Sequence, residues 1–136
     1  MPLVVPNSLE VEILTDVLTP ALTIRIYGND KTPAAGDTAA AYTEITGGGY
    51  AAIPLTFANW NITAGDPSVA IYNSVQKWTF NDVINSPGTI YGYYVTRDSD
   101  SKLMWAERFP DAVVPFEPIA GSIIQVLARF SAQSQF

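Results

Sequence analysis

Spacing of apolar residues predicts one helix at the start of this chain and short strands along the rest. Residues 8–18 place five apolar side chains on one helical stripe, namely Leu9, Ile13, Leu14, Val17 and Leu18. With Asn7 or Ser8 as N-cap and Pro20 beyond the end, this pattern favours a short amphipathic helix. A strand is the alternative, because apolar residues also alternate between positions 9 and 13.

From Ala21 the period changes to two, which predicts a strand that ends at Gly28. Leu22, Ile24 and Ile26 then face one way, and Thr23, Arg25 and Tyr27 face the other. Further strands are predicted at 53–57, 69–72, 76–80, 90–95, 103–109 and 122–130. Loops are predicted at 31–49, with one helical turn up to Tyr42, and at 59–67 and 81–88.

The aromatic runs at 90–95 and 103–109, joined by a polar turn, predict a central hairpin. Tyr91, Tyr93 and Val95 share one face of its first strand, and Leu103, Trp105 and Phe109 share one face of the second. Glu107 lies on that apolar face, whereas Arg108 points to the opposite side. A carboxylate among apolar side chains needs a donor, and Arg25 or Arg129 is the expected partner of Glu107.

Many short strands separated by Gly, Pro and Asn predict a mainly β fold. The expected architecture is an antiparallel β-sandwich or barrel-like domain with a short N-terminal helix. A chain of 136 residues suits a single domain that needs no disulfide or metal. The apolar, proline-containing segments 1–7 and 111–118 do not fit the strand pattern and are predicted contact arms, and 131–136 is predicted as a polar tail.

Composition excludes several kinds of chemistry. The chain has no cysteine and no histidine, so thiol nucleophiles, thiolate zinc sites and histidine-based triads are excluded. A glycosidase needs two carboxylates at a set separation, and Glu107 has no identifiable second member. The Asp98–Asp100 spacing in the hairpin turn lacks the further acidic ligands of a calcium loop. We therefore expect no enzymatic activity, no cofactor and no metal.

Charge argues against nucleic acid as a partner. Seven basic and thirteen acidic residues give a net charge of −6, and the basic positions are scattered. No segment is expected to cross a membrane, and the start has no positive region of the kind that opens a signal peptide. Charged residues make up only 15% of the chain, which predicts that a partner covers some apolar surface. An alternative function is a glycan-binding module, in which exposed aromatic side chains would stack on sugars. The candidates for such a platform are Tyr50, Trp60, Tyr72, Trp78, Tyr91, Tyr93, Tyr94 and Trp105.

A set of short motifs between about residue 8 and residue 130 carries a family resemblance. They are Tyr42-Thr43-Glu44, Gly49-Tyr50-Ala51, Trp60, Trp78-Thr79-Phe80, Ile90-Tyr91-Gly92-Tyr93 and Trp105-Ala106-Glu107-Arg108-Phe109. With these motifs the chain resembles small virion structural proteins of tailed bacteriophages and cyanophages.

The resemblance implies a non-enzymatic particle component, first of all a decoration or cement protein that binds the outside of the head and stabilises it. A tail, baseplate or fibre-tip component is the alternative. The major capsid protein or another virion protein would be the partner, and the protein would be made in the host cytoplasm and carried on the capsid exterior. It also implies a homo-oligomer, with a trimer first and a dimer second.

In that setting the motif residues would be fold determinants. Gly92 would stand where a side chain would crowd, Trp105 and Phe109 would lie in the core, and Glu107 and Arg108 would tie strands or subunits together. The remaining candidates for structural or interface roles are the hairpin tyrosines and the apolar residues of the two arms, namely Tyr91, Tyr93, Leu3, Val4, Val5, Val113, Val114 and Phe116.

Overall fold

One helix and nine strands follow each other along residues 4–132, which are the residues that the computed structural model describes. Helix α1 spans Asn7–Leu18 and is followed by β1 (Leu22–Tyr27), β2 (Ile53–Leu55), β3 (Trp60–Thr63), β4 (Ser68–Tyr72), β5 (Gln76–Thr79), β6 (Gly92–Arg97), β7 (Leu103–Arg108), β8 (Ile123–Val126) and β9 (Arg129–Ala132). Single 3₁₀ turns occupy Ala39–Ala41 and Phe57–Asn59.

The strands form three antiparallel sheets. Their orders are β2-β1-β6-β7, β3-β4-β9 and β5-β8. The prediction of a mainly β, antiparallel sandwich-like domain with a short N-terminal helix is confirmed. Among residues 4–132, no helix has the length and hydropathy needed to span a bilayer.

Alternation along β1 decides what lies in the core. Leu22, Ile24 and Ile26 are fully buried on the inner face of the four-stranded sheet. They pack against buried residues of the other two sheets and of α1, which include Leu18, Trp60, Ala70, Tyr72, Trp78 and Val126. The predicted division of β1 into an apolar face and a face carrying Thr23, Arg25 and Tyr27 is confirmed.

The long connection between β1 and β2 covers part of the outer face of this sheet. Tyr42 stacks on Tyr94 of β6 with ring centroids 5.3 Å apart, and its ring edge meets Tyr27 at 4.9 Å. Glu44 forms an isolated bridge with Tyr27 and an ion pair with Arg25 at 3.1 Å. These contacts hold the connection against the sheet although it contains only a short 3₁₀ turn.

Helix α1 is rotated relative to the predicted apolar stripe. Its buried residues are Glu10, Leu14 and Leu18, whereas Leu9 and Ile13 are 42% and 43% exposed. The Ser68 hydroxyl of β4 donates a hydrogen bond of 2.6 Å to the Glu10 carboxylate, which satisfies one of its two oxygens. Because apolar residues lie on more than half of the helix surface, their spacing does not by itself choose the buried side.

Several boundaries differ from the predictions, three of them by more than a shift of the strand ends. The N-cap of α1 is Pro6, with no side-chain cap, so neither Asn7 nor Ser8 has that role. Residues 60–63, predicted as part of a turn, form β3 because they pair with β4. The predicted strand 122–130 is two strands, since β8 pairs with β5 and β9 pairs with β4.

The C-terminal boundary moves accordingly. Ser131 and Ala132, predicted to open a polar tail, belong to β9, and positions 133–136 lie outside the described residues.

A close approach between β1, β6 and β7 occurs at Gly92. A Cβ atom built on Gly92 would collide with the carbonyl oxygen of Glu107 and would lie 2.6 Å from the Tyr27 ring. The predicted crowding at Gly92 is therefore confirmed. This glycine lets the Tyr27 side chain cross β6 directly over the backbone.

Substitution of Gly92 by alanine is expected to destabilise the fold by about 1–3 kcal/mol, because the added methyl group must displace backbone as well as the tyrosine ring. Urea unfolding followed by far-UV circular dichroism measures the change. Gly36→Ala is the matched control, since a Cβ there meets nothing within 4 Å. Its stability should be unchanged or raised by up to about 1 kcal/mol. Equal stabilities of the two variants would contradict the packing argument.

Candidate functional site

An apolar groove lies between strand β8 and the segment that follows β7. Its volume is about 270 Å³, and its lining comprises Phe109, Pro110, Val113, Phe116, Ile123, Ile124 and Gln125. None of these side chains is charged. Val113 and Ile123 are each 49% exposed, so the groove opens to solvent.

The segment 111–118, predicted as a contact arm, forms one wall of this groove. Phe116 and Ile90 exchange two backbone hydrogen bonds of 2.8 and 3.1 Å, which anchor the segment to the domain. Pro118 is buried, Val114 is half-buried and Val113 is exposed. The segment is therefore attached to the domain, and its exposed Val113 faces the groove.

The N-terminal arm, residues 1–7, is the other predicted contact segment. Val4 is 72% exposed and Val5 is half-buried. Pro6 is extended, with φ −65° and ψ 152°, and its carbonyl accepts the first hydrogen bonds of α1. Leu3, also predicted as a contact residue, lies outside the described residues. The described part of the arm thus exposes an apolar side chain before the helix.

Trp105 and Tyr93 are structural residues of the hairpin. Tyr93 is 5% exposed and belongs to the main core, and Trp105 packs against that core. Trp105 approaches Phe130 of β9 at 5.0 Å and Trp60 of β3 at 6.3 Å between ring centroids. The indole therefore joins the four-stranded sheet to the three-stranded sheet.

A bulge in β7 corrects the predicted faces of the hairpin. Val95 pairs with Trp105 and Thr96 pairs with Leu103, so Met104 is an extra residue on β7. Leu103 consequently packs with the outer tyrosines, while Trp105 keeps its place toward the core. The prediction that Leu103 and Trp105 share a face is wrong, because strict alternation does not cross a bulge.

Glu107 does not occupy the enclosed position predicted for it. Its side chain is exposed, although its backbone pairs with Tyr93. Arg25, one expected partner, forms its ion pair with Glu44, and Arg129 forms no ion pair within residues 4–132. Because the side chain is exposed, solvent hydrates the carboxylate and no buried partner is needed.

Arg108 connects β7 to the loop after β1. Its guanidinium donates to the Asp30 carboxylate at 2.7 Å and to the Lys31 carbonyl at 3.3 Å. It also lies over the Tyr91 ring, with its central carbon 5.1 Å from the ring centroid, and approaches Asp111 at 3.9 Å. The bond to Asp30 raises the pKa of Arg108 above its ordinary value. Arg108 and Tyr91 thus have a structural role within one chain.

The hairpin turn is held by its own charges. Arg97 donates two hydrogen bonds to Asp100, which lowers the pKa of this carboxyl to about 2. Asp98 accepts a hydrogen bond from Thr23. In the described part of the chain, no group of three or more acidic residues is placed to hold a metal ion.

Most of the aromatic residues considered for a glycan platform are buried. Trp60, Tyr72, Trp78, Tyr93 and Tyr94 are each at most 7% exposed. The Trp78 indole donates to the Ala51 carbonyl, and the Tyr72 hydroxyl accepts from Thr56 and Asn59. Most of the aromatic surface considered for glycans is therefore in the core.

A second cluster on the outer sheet face contains buried tyrosines. Burial raises the pKa of Tyr27 and Tyr94 in this cluster to about 12, as it does for Tyr93 in the main core. Burial also raises the pKa of Tyr42 and Tyr50, and hydrogen bonds to Asp37 and Glu44 raise them further. Three of these hydroxyls are neutral donors that hold the 28–50 segment together and against the sheet: Tyr27 donates to the Lys31 carbonyl, Tyr42 to Asp37 and Tyr50 to Glu44.

Of the predicted site residues, the groove brings together Val113 and Phe116. Sequence reasoning missed Ile123 and Gln125, whose alternating pattern looked like an ordinary strand, and it missed the buried Glu10. A carboxylate on a helix beside four apolar neighbours was the available signal for Glu10. No family model, curated protein or solved structure matches this chain.

Substitutions at the neighbouring positions 107 and 108 of β7 test the structural role of Arg108 and the exposed position of Glu107. Arg108→Ala is expected to lower the thermal midpoint by a few degrees, because the contacts to Asp30 and Tyr91 are lost, and Arg108→Lys should recover part of the loss. Glu107→Ala is the matched control and should change stability by no more than about 0.5 kcal/mol. Differential scanning calorimetry gives the midpoints. If Glu107→Ala lost more stability than Arg108→Ala, the carboxylate of Glu107 would have a structural role and the conclusion that it is merely hydrated would be wrong.

Alkaline unfolding provides a second test. The folded-state pKa of Tyr27, Tyr93 and Tyr94 is about 12, against an ordinary value of 10.0. Because the folded state holds these protons more tightly, their contribution to stability is complete below pH 10 and is lost as the pH rises through about 12. Tyrosinate absorbance and near-UV circular dichroism should therefore change together. Ionisation of most tyrosines near pH 10 without unfolding would contradict this burial.

Proposed function

We propose that this chain is a structural component of a tailed-phage particle, and that it decorates the outside of the head and stabilises it. The observation that carries the proposal is the uncharged groove between the 109–116 segment and β8, which is suited to assembly contacts. The resemblance of its aromatic motifs to phage and cyanophage virion proteins supplies the setting.

The arrangement of polar groups supports a binding role over an enzymatic one. The ion pairs of Arg25 and Arg108 connect loops to strands, that of Lys31 lies within the β1–β2 connection, and that of Arg97 closes the hairpin turn. Lys31, for example, pairs with Asp37 at 2.9 Å, and Asp37 also accepts from Tyr42. These groups satisfy each other within the fold, which is the pattern of a scaffold.

Charge supports the exterior of the shell. A protein with a net charge of −6 is repelled by packaged DNA, and no such repulsion acts outside the head. The groove has no charged side chain, so it can approach another acidic subunit at low electrostatic cost.

Burial of the tryptophans weakens the glycan-binding alternative. Trp60 and Trp78 are 7% and 4% exposed, and Trp105 packs in the seam between two sheets. A sugar platform requires ring faces open to solvent. A location in the tail or baseplate remains the competing assignment within the same class of structural proteins.

Addition of the purified protein to heads assembled without it tests the proposal. We expect saturable binding in co-sedimentation, density on the outer surface in electron cryomicroscopy, and release of DNA at a higher temperature. Val113→Asp, which places a charge in the groove, should weaken binding by at least tenfold. Val83→Asp is the control, because Val83 is 59% exposed and does not line the groove. Density on the tail alone, or heads equally stable with and without the protein, would refute the decoration role.

A further inference from the structure

The free edge of β8 faces the apolar groove. The Phe80 amide donates to the Ser122 carbonyl at 2.8 Å, and β8 then pairs with β5 so that Trp78 lies opposite Ile124. Hydrogen bonding alternates in an antiparallel pair, so the backbone groups of Ile123 and Gln125 point away from β5. Both residues line the groove. Within residues 4–132, no backbone group pairs with Ile123 or Gln125 on that side, so the groove offers backbone donors and acceptors between apolar walls.

We propose that the N-terminal arm of a second copy of this chain, centred on Val4 and Val5, binds in this groove as an added strand on β8. The inference rests on the proposed role of the groove as an assembly surface and names its occupant. An extended peptide supplies the backbone partners that an open edge lacks, and its side chains fill the adjacent apolar space.

The arm has the chemistry that the groove requires. Residues 1–6 carry no charged side chain, and the two prolines are Pro2 and Pro6. Pro2, Val4 and Pro6 are even-numbered positions, whereas Leu3 and Val5 are odd-numbered, so the two sets alternate along an extended strand. In an added strand, the residues of one parity point their N–H groups at β8 and the others point to solvent. Proline has no N–H to donate, so the register that serves β8 directs the odd-numbered residues at it. In that register the prolines lie on the solvent side, and the Val5 amide can donate to β8.

The distribution of charge permits a second copy on this surface. Each copy carries a net charge of −6, so association requires contact surfaces without acidic side chains. The groove lining and the arm both meet this condition. Val4 is 72% exposed on its own domain, so the arm of each copy presents its apolar side chain outward.

Such a contact pairs two different surfaces, an arm and a groove. Reciprocal exchange closes a dimer, and head-to-tail exchange around an axis closes a ring such as a trimer. In either case every arm and every groove is used. The contact thus provides a route to the homo-oligomer expected for a decoration protein.

The absence of native cysteine allows a direct test with single-cysteine variants. Val4→Cys and Ile123→Cys proteins, one labelled with heavy nitrogen, are mixed and treated with a short bis-maleimide. Mass spectrometry should identify linked pairs that contain one copy of each variant. Val4→Cys mixed with Val83→Cys is the matched control, and its yield should be at least fivefold lower. Equal yields from the two mixtures would overturn the proposal.

Sedimentation equilibrium of the full chain supplies an independent readout. The unmodified protein should form an oligomer, and Val4→Asp should weaken its association at least tenfold while near-UV circular dichroism stays unchanged. Val83→Asp should associate normally. A chain that remains monomeric at every concentration, or an oligomer indifferent to Val4→Asp, would overturn the proposal.

The outcomes separate this inference from the proposed function. Particle binding without Val4–Ile123 linkage would overturn the arm exchange and leave decoration standing. Linkage in free solution without binding to heads would support the exchange and refute decoration. If Val4 is linked only to a capsid subunit on assembled heads, the groove serves a different occupant and the inference is wrong.

Discussion

The pairing of β1 with β6 over six residues determines where the other elements lie. It turns Leu22, Ile24 and Ile26 toward the core and leaves Arg25 and Tyr27 on the outer face. The inner face needs cover, which α1 and the two smaller sheets provide. The outer face receives the 28–50 connection, held by Tyr42 and Glu44. Gly92 permits this arrangement, because any side chain at that point would separate the Tyr27 ring from β6.

Much of this organisation could be predicted where one residue pattern allowed only one answer. Strict alternation in β1 gave its faces, and the aromatic runs around a polar turn gave the hairpin. Predictions failed where a partner, and not the local pattern, decides the outcome. Strands β8 and β9 look continuous in sequence, but they separate because β5 and β4 each take one half. The choice between Leu9 and Glu10 for burial similarly depends on Ser68, which lies 58 positions from Glu10.

The groove shows the same division between local and distant information. Val113 and Phe116 were identifiable, because an apolar segment with prolines and no strand period is unusual on a surface. The opposite wall was not identifiable, since Ile123 and Gln125 become groove residues only once β8 lies at the end of a two-stranded sheet. Glu107 was misplaced for a related reason: alternation gives the face of a strand but does not say which residues of that face are covered by other elements.

The Met104 bulge has a consequence for how this molecule avoids unwanted assembly. Strand β7 is an outer strand of the largest sheet, and a long regular outer strand invites uncontrolled pairing and aggregation. The extra residue interrupts the spacing of the outward backbone groups on β7, so a foreign strand cannot match them along its whole length. Strand β8 is regular but only four residues long, and residues of the segment 109–116 line the opposite side of the groove beside it. The bulged edge of β7 is therefore a poor template for a foreign strand, and the edge of β8 presents only a few backbone groups beside the segment 109–116.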